Sequence, residues 1–414
     1  MKERCTMGIG SAAAKRLFWG AALSGLLLRV IFVLLTQDIG GVTSLDASTY
    51  DHIARNLLAG VGFSEDGIHP SLFVAPLYPF LLAAVYGLAG VHPLLIELLQ
   101  CLLGTATALV VWRLTRDHAG ALAAGIALVL TLFMPELFVL TTYMYTETLF
   151  IFLFVLSIWL AQRALRQPSA GRLALAGLSG GLATLTRGVT MLLPLLVLAA
   201  LLLRRGGFAA LRQAIVYGLF FVLPILPWTM RNYQTFHAVV PVAVGSGDVL
   251  WTGNYLPLDG KYSYDKTMAI MDSMTAGLNQ VDRDRRLTRA ALDNIKAAPL
   301  ASAGLMARKF FRFWFWVYEG APTGMQRRGG GLVQWVLALS YYPVLLLFAA
   351  GVWLSRRRWH DFIFIYLLLG YYVAAHVALL VVPRYRFPIL PLMILFASLA
   401  VAAAWSGWQR RRSG

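Results

Sequence analysis

The amino-acid sequence predicts an all-α protein that crosses a membrane about ten times, with short interfacial helices in its first outer loop and a larger mixed outer loop further on. Three observations carry this. Of 414 residues, 59% are hydrophobic and only 13% charged, where a soluble domain has about 25% charged residues. The apolar residues come in continuous blocks near the roughly 20 residues a helical span needs, without the alternation of a membrane barrel. The basic residues fall in short clusters between the blocks, the pattern that orients spans across a bilayer.

The net charge of +17 therefore reads as topology rather than as a nucleic-acid footprint. The sequence has no Gly-rich phosphate loop, no zinc-spaced Cys/His set and no RNA-binding aromatic motif, and no nucleic-acid partner is expected. Its two cysteines, Cys5 and Cys101, fall in a basic tail and an apolar block. They are expected at different depths and not in a disulfide.

The first block, 17–36, follows Lys15 and Arg16. It is longer than the roughly 7–15 apolar residues of a signal peptide and no A-x-A site follows, so it reads as an uncleaved first span. Next comes "SLDASTYDHIARNLLAG", residues 44–60. Tyr50, Ile53, Ala54, Leu57 and Leu58 recur at helical spacing, which predicts an amphipathic helix along the membrane surface. Asp46 or Ser48 could cap it.

Further apolar blocks occupy 74–91, 93–112, 119–137, 147–162, 170–186, 188–203, 213–229, 331–354, 361–382 and 387–408. Charge tests which of them span. With Lys2, Arg4, Lys15 and Arg16 inside, the loop 37–73 lies outside, and it holds Asp38, Asp46, Asp51, Glu65 and Asp66 against Arg55. If 74–91 spanned, the clusters Arg113/Arg116, Arg163/Arg166/Arg172, Arg204/Arg205/Arg212 and Arg356/Arg357/Arg358 would face outward. If it lies at the interface, all of them face inward with Arg410/Arg411/Arg412, as the positive-inside rule requires. Pro76 and Pro79 also suit a short interfacial helix. Ten spans result, with both termini cytoplasmic.

The chain divides into an N-terminal membrane module, 1–230, containing the outer loop 37–92; an outer region, 231–330; and the last membrane helices, 331–414. The outer region combines a turn-rich part, a charged helix near 278–297 and an aromatic helix, "LMARKFFRFWFWVYEG". It is expected to have little core of its own and to pack on the membrane part.

Four arginines break the charge rule. Arg187, Arg231, Arg384 and Arg386 fall at outer ends of spans. Any one of them could snorkel to the interface. Four at one face, beside carboxylates, read better as an anion site, because a guanidinium fork matches a phosphate. Asp46 and Glu147 are the leading acids there. A first-turn Glu also meets the helix dipole favourably, so a purely structural role stays open for it. Asp51 and Glu136 are the alternatives, with Glu136 expected at a helix C-terminus.

The ordered motifs "YDHIARNLLAG", "APLYPFLLA", "TETLFIFL", "GLATLTRG", "LPWTMRNY", "GNYLPLDG" and "RYRFPILPL" resemble the polytopic C-type glycosyltransferases. The resemblance is to bacterial proteins similar to protein O-mannosyltransferases and lipid A aminoarabinose transferases. It implies the C-type glycosyltransferase fold and a membrane-lipid partner. It also implies inverting transfer of a sugar from a polyprenyl-phosphate donor to a glycan, lipid or protein acceptor, at the outer face of a bacterial cytoplasmic (inner) membrane. By position it makes Asp46 the acid facing the acceptor and Glu147 the second acid. Arg187, Arg231, Arg384 and Arg386 would take the leaving phosphate, most firmly Arg231 and Arg384. Asp51, His69, Tyr78, Asn232, Asn254 and Tyr255 lie in or beside the motifs as candidate substrate contacts.

Two departures bear on substrate. Ala75 stands where the aminoarabinose transferases carry a lysine, with His69 the nearest basic residue. The chain ends at Gly414, where those enzymes are expected to continue into a soluble region. Mg²⁺ or Mn²⁺ between the acids is admitted, but no cofactor is required if arginines neutralise the phosphate. The competing readings are a transporter or flippase of lipid-linked sugars, and a ligase using a polyprenyl-diphosphate donor.

Overall fold

The computed structural model describes residues 12–36, 44–204, 206–261, 264–315 and 323–413. Lys2, Arg4, Cys5, Asp38 and Arg205, used above, lie outside them. The regular secondary structure among the described residues is all helical, and a lone bridge, Ser64 to Pro70, is the only extended pairing among them.

The order is α1 (Ala12–Leu35), α2 (Leu45–Leu58), α3 (Leu77–Ala89), α4 (Pro93–Phe133), α5 (Pro135–Val139), α6 (Thr146–Arg166), α7 (Ala170–Thr186), α8 (Leu193–Arg204), α9 (Gly207–Val222) and α10 (Leu226–Phe236). The outer region follows as α11 (Ser246–Gly253), α12 (Tyr264–Thr275), α13 (Gln280–Ala297) and α14 (Pro299–Phe315). The chain then returns to apolar helices α15 (Thr323–Ser355), α16 (Trp359–Ala378) and α17 (Leu390–Ser413).

Two of the long stretches are folded back on themselves. Gly120 interrupts α4 with φ 85°, a backbone state that glycine adopts without strain. Ala108, Leu128 and Leu132 consequently share one apolar cluster, although 20 residues of straight helix would hold the first two about 30 Å apart. Likewise Phe348 and Leu369 line one pocket across the 3₁₀ turn Arg356–Arg358. By length and composition, five stretches can cross a membrane: Ala14–Leu35, Pro93–Phe133, Thr146–Arg166, Trp335–Ala378 and Pro383–Arg412. The pair α9 and α10, bent by 53°, makes a sixth. Two shorter apolar helical stretches, Leu77–Ala89 and Gly188–Arg204, accompany these. The protein is a multi-pass membrane protein.

α17 forms the centre. Leu392, Met393, Ile394, Leu395, Phe396 and Ala397 are each fully buried, and α17 packs on both α4 and α15. α1 lies at the periphery, with Leu17, Trp19, Leu23, Leu27 and Ile31 exposed. Glycines let backbones meet. A Cβ on Gly181 would sit 2.3 Å from the Phe221 carbonyl oxygen and one on Gly351 1.9 Å from that of Phe396, so α7 and α9, and α15 and α17, pack backbone to backbone.

The two ends of the bundle differ in charge. Arg166 donates to the Asp117 carbonyl at 2.6 Å and Arg358 to that of His118 at 3.1 Å. This gathers the ends of α6, of the first arm of α4 and of the 356–358 turn. Glu147, at the other end of α6, lies roughly 28 Å away by helical rise, close to the hydrocarbon thickness of a bilayer.

At that second end, α3 spans 13 residues, about 20 Å, too short to cross the hydrocarbon. It packs against α2, with the Tyr78 ring edge-on to Tyr50 and the Tyr86 hydroxyl donating to Asp51. Ser44 caps α2, its Oγ accepting from the Ala47 amide at 3.2 Å; neither Asp46 nor Ser48 is the cap. The outer region has a small core of its own, Trp251, Met271, Leu287 and Ala291. Gln280 fastens it to the first outer loop, accepting from the Leu72 amide and donating to the Pro70 carbonyl.

Candidate active site

Four side chains from four distant parts of the chain meet at the second end of the bundle. Asp46 stands in the first turn of α2. With the cap supplied by Ser44, its carboxylate is free to accept from Arg384 Nη1 at 2.7 Å. Glu147 stands in the first turn of α6 and is almost wholly buried. Arg187 follows the last residue of α7, where the backbone becomes extended (φ −151°), and its Nη1 lies 2.9 Å from Glu147 Oε1. Arg384 enters on the 3₁₀ segment Pro383–Ile389, with its Nε 4.0 Å from the same Glu147 oxygen. Arg384 thus stands between both acids.

Aromatic rings wall the cluster. The Arg187 guanidinium lies over Tyr385 at 5.4 Å and Phe150 at 5.8 Å, and that of Arg384 over Tyr145 at 5.7 Å. Such placement favours cations. Tyr50 packs edge-on against Tyr78; burial, then the nearby Asp46 and Glu147 charges, push its phenol above its usual range, so it remains a hydrogen-bond donor. Exposure divides the cluster. Glu147 is 3% exposed and Arg187 22%, whereas Asp46 is 40% and Arg384 32% exposed. Asp46 and Arg384 form the open face, and Glu147 with Arg187 forms its support. Unpaired, such buried charges would be costly; the mutual pairing offsets their desolvation.

The expected set of four arginines splits. Arg231 donates to the Ser71 and Phe63 carbonyls at 3.1 and 3.3 Å and packs over Trp228 at 4.8 Å; it holds the first outer loop against α10. Arg386, buried, donates to the Phe313 and Trp314 carbonyls at 3.2 and 3.1 Å and lies 4.1 Å over Tyr341. Neither belongs to the Asp46–Glu147 group.

The remaining candidates are placed as follows. Asp51 is buried between Arg55 (2.6 Å) and the Tyr86 hydroxyl (2.7 Å). His69 is exposed and pairs with Asp66 at 2.8 Å. That contact and two loop amides hold the Asp66 carboxyl well below its usual range. Tyr78 donates to Gln100 at 3.1 Å, and its ring borders the site through Tyr50. Asn232 is buried and donates to the Val240 carbonyl. Asn254, also buried, bonds the Leu250 and Ala378 carbonyls. Tyr255 stacks on Trp251. Glu136 is in the first turn of α5 rather than at a C-terminus, because Met134 breaks the helix before Pro135; Ser340 donates to it.

Sequence reasoning missed two buried cations. Arg29 of α1 donates to the Gly25 and Thr131 carbonyls. Lys309 of α14 is wholly buried. The signal for Arg29 was a charge inside a span; Lys309 lies in a stretch read only for its aromatic face.

Arg384 stands against both Asp46 and Glu147, and no cluster of three or more His, Cys, Asp or Glu side chains that could hold a metal ion exists among the described residues.

The whole helical arrangement has a counterpart. The structure of oligosaccharyltransferase AglB from Archaeoglobus fulgidus, in complex with an inhibitory peptide and a dolichol-phosphate, superposes with a TM-score of 0.56 over 95% of this chain at 14% identity. This is a C-type glycosyltransferase fold. The chain spans 51% of AglB's own length. In sequence, residues 69–230 match the dolichyl-phosphate-mannose-protein mannosyltransferase family. ArnT from Cupriavidus metallidurans bound to undecaprenyl phosphate aligns at a TM-score of 0.45 and 17% identity, covering 94% of this chain and 77% of ArnT. Among curated protein sequences none matches. The C-type glycosyltransferase resemblance drawn from the motifs thus holds in fold over nearly the whole chain, and in sequence over residues 69–230.

Proposed function

We propose that the protein moves a sugar from a polyprenyl-phosphate donor to an acceptor hydroxyl or similar group, with inversion, at the outer face of a bacterial cytoplasmic membrane. The observation that carries this reading is the convergence of Asp46, Glu147, Arg187 and Arg384 at one end of the bundle, opposite the basic end. Arg384 is the half-open cation. Donor phosphate competes with Asp46 for its guanidinium, so donor binding draws Arg384 towards phosphate and frees the carboxylate. The acceptor oxygen attacks the anomeric carbon while the bond from that carbon to the phosphate oxygen breaks. The phosphate keeps the electron pair and the acceptor proton passes to Asp46. Negative charge grows on the leaving phosphate, where the fixed guanidinium of Arg384, backed by Arg187, stabilises it most. Glu147 holds both arginines in place. The reaction needs no metal in this scheme.

The test is transfer by the purified protein in lipid, with polyprenyl-phosphate sugars and a panel of acceptors. Asp46→Asn is expected to lower the rate on the order of 10²–10⁴-fold, and chelation of divalent ions to leave it unchanged. Full activity of Asp46→Asn would remove its assigned role. Use of diphosphate donors alone would favour a ligase, and transbilayer movement of donor without transfer would favour a flippase.

A further inference from the structure

Lys309 is fully buried and its ammonium meets oxygens only. It donates to the Gly253 carbonyl at 2.9 Å, Asn254 Oδ1 at 3.3 Å, the Ala378 carbonyl at 3.3 Å and the Leu379 carbonyl at 3.1 Å. Two of these are the last carbonyls of α16, which have no partner within the helix and carry the negative end of its dipole. The other two belong to the end of α11. One side chain of α14 therefore ties the outer region to the end of a membrane helix.

The surroundings are shaped for that contact. A Cβ on Gly253 would lie 1.7 Å from the Leu379 carbonyl oxygen, and one on Gly260 2.7 Å from the Gly253 carbonyl oxygen. Asn254 adds a second link, donating to the Ala378 carbonyl at 2.9 Å. The charged group acting on Lys309 is Arg312 on its own helix, and on the adjoining loop Asp259 lies beside that arginine. Asp259 is paired with both Arg308 and Arg312, so Lys309 is left to the carbonyls.

Five residues beyond Leu379 comes Arg384, the cation shared by Asp46 and Glu147. Two further on, Arg386 donates back to the Phe313 and Trp314 carbonyls at the far end of α14. The segment 378–386 is thus gripped from both sides, by Lys309 reaching out of α14 and by Arg386 reaching into it.

We propose that Lys309 is a positioning residue, which with Arg386 clamps segment 378–386 against α14 and so fixes where Arg384 meets the two acids. The role in transfer rests on the function proposed above; the clamp itself does not. An arginine misplaced by about 1 Å can cost on the order of 100-fold in rate.

The experiment is amide hydrogen exchange on the full chain in lipid nanodiscs, alongside transfer assays, for wild type, Lys309→Met and the milder Asn254→Ala. The expected result is faster exchange confined to 250–261 and 376–388, with 44–59 unchanged, and transfer lowered at least about tenfold in kcat more than in KM. Exchange in 376–388 unchanged in both variants would overturn the clamp. Faster exchange everywhere would also overturn it, marking Lys309 as general support. Should wild type transfer nothing while the local exchange response stands, the function falls and the clamp remains.

Discussion

At the scale of single residues, the decisive feature is that Arg384 serves two carboxylates of unequal exposure. Removing its charge by Arg384→Ala should lower transfer on the order of 10²-fold or more, with donor affinity, read by titrating polyprenyl phosphate, falling alongside. Glu147→Gln tests the support. It leaves Arg187 largely buried without its partner, and breaking such a pair costs about 3–5 kcal/mol, somewhat less here because Arg187 keeps 22% of its exposure. A lower unfolding temperature is expected, and Glu147→Gln/Arg187→Gln should recover part of it in a double-mutant cycle. The sequence made Asp46, Glu147, Arg187 and Arg384 legible as acids and wrong-side cations at one face. It could not show that Arg231 and Arg386, with the same signature, bind backbone carbonyls instead. Charge and depth mark a residue as costly, and either a ligand or a buried carbonyl can offset that cost. Only the fold around it decides which.

At the scale of elements, helix type and most boundaries followed from apolar periodicity and the charge between blocks. Two element features did not. The reversal between the blocks 93–112 and 119–137 was expected, but its placement at Gly120 needs one glycine in a left-handed state, which looks in sequence like any other of the 37 glycines. The close approach of α7 to α9 needs Gly177, Gly180 and Gly181 on the face that meets α9, and this depends on rotation about the helix axis. The contact is testable. Gly181→Ala drives a methyl against the Phe221 carbonyl oxygen and Pro224, and should destabilise the protein by about 1–3 kcal/mol. Gly125→Ala, with nothing within 4 Å of the added carbon, should leave the unfolding temperature unchanged. Because Arg187 directly follows α7, Gly181→Ala should also slow transfer, whereas Gly125→Ala should not.

For the whole molecule, the outer region and the membrane helices are joined through buried polar contacts, and one of these titrates. Burial, and then the Arg312 guanidinium, push Lys309 from 10.5 down to about 8. Between those pH values the unfolded chain keeps a proton that the folded chain has released, so folding stability gains with rising pH across that window and has no slope from this group below it. Thermal unfolding from pH 7 to 10 should show this gain in wild type relative to Lys309→Met. An identical pH dependence in the two proteins would mean that Lys309 does not change protonation on unfolding. The two-ended layout, with basic clusters at one end and the acid–arginine group at the other, was readable from charge alone. The docking of α14 onto the end of α16 was not, because a carbonyl-bound lysine leaves no charge pattern in the chain.

The Asp46–Arg384 pair joins residues 338 positions apart, and this orders events during synthesis. Asp46 and Glu147 are made and inserted long before the segment that supplies Arg384. Until the ribosome has passed it, the growing chain holds its acids without the cation that completes them. On the proposed function, the nascent chain is therefore silent towards donor lipid already in the bilayer until Arg384 has been made. A fragment stopped at 382 should insert yet transfer nothing, and co-expression of the missing helix should restore activity.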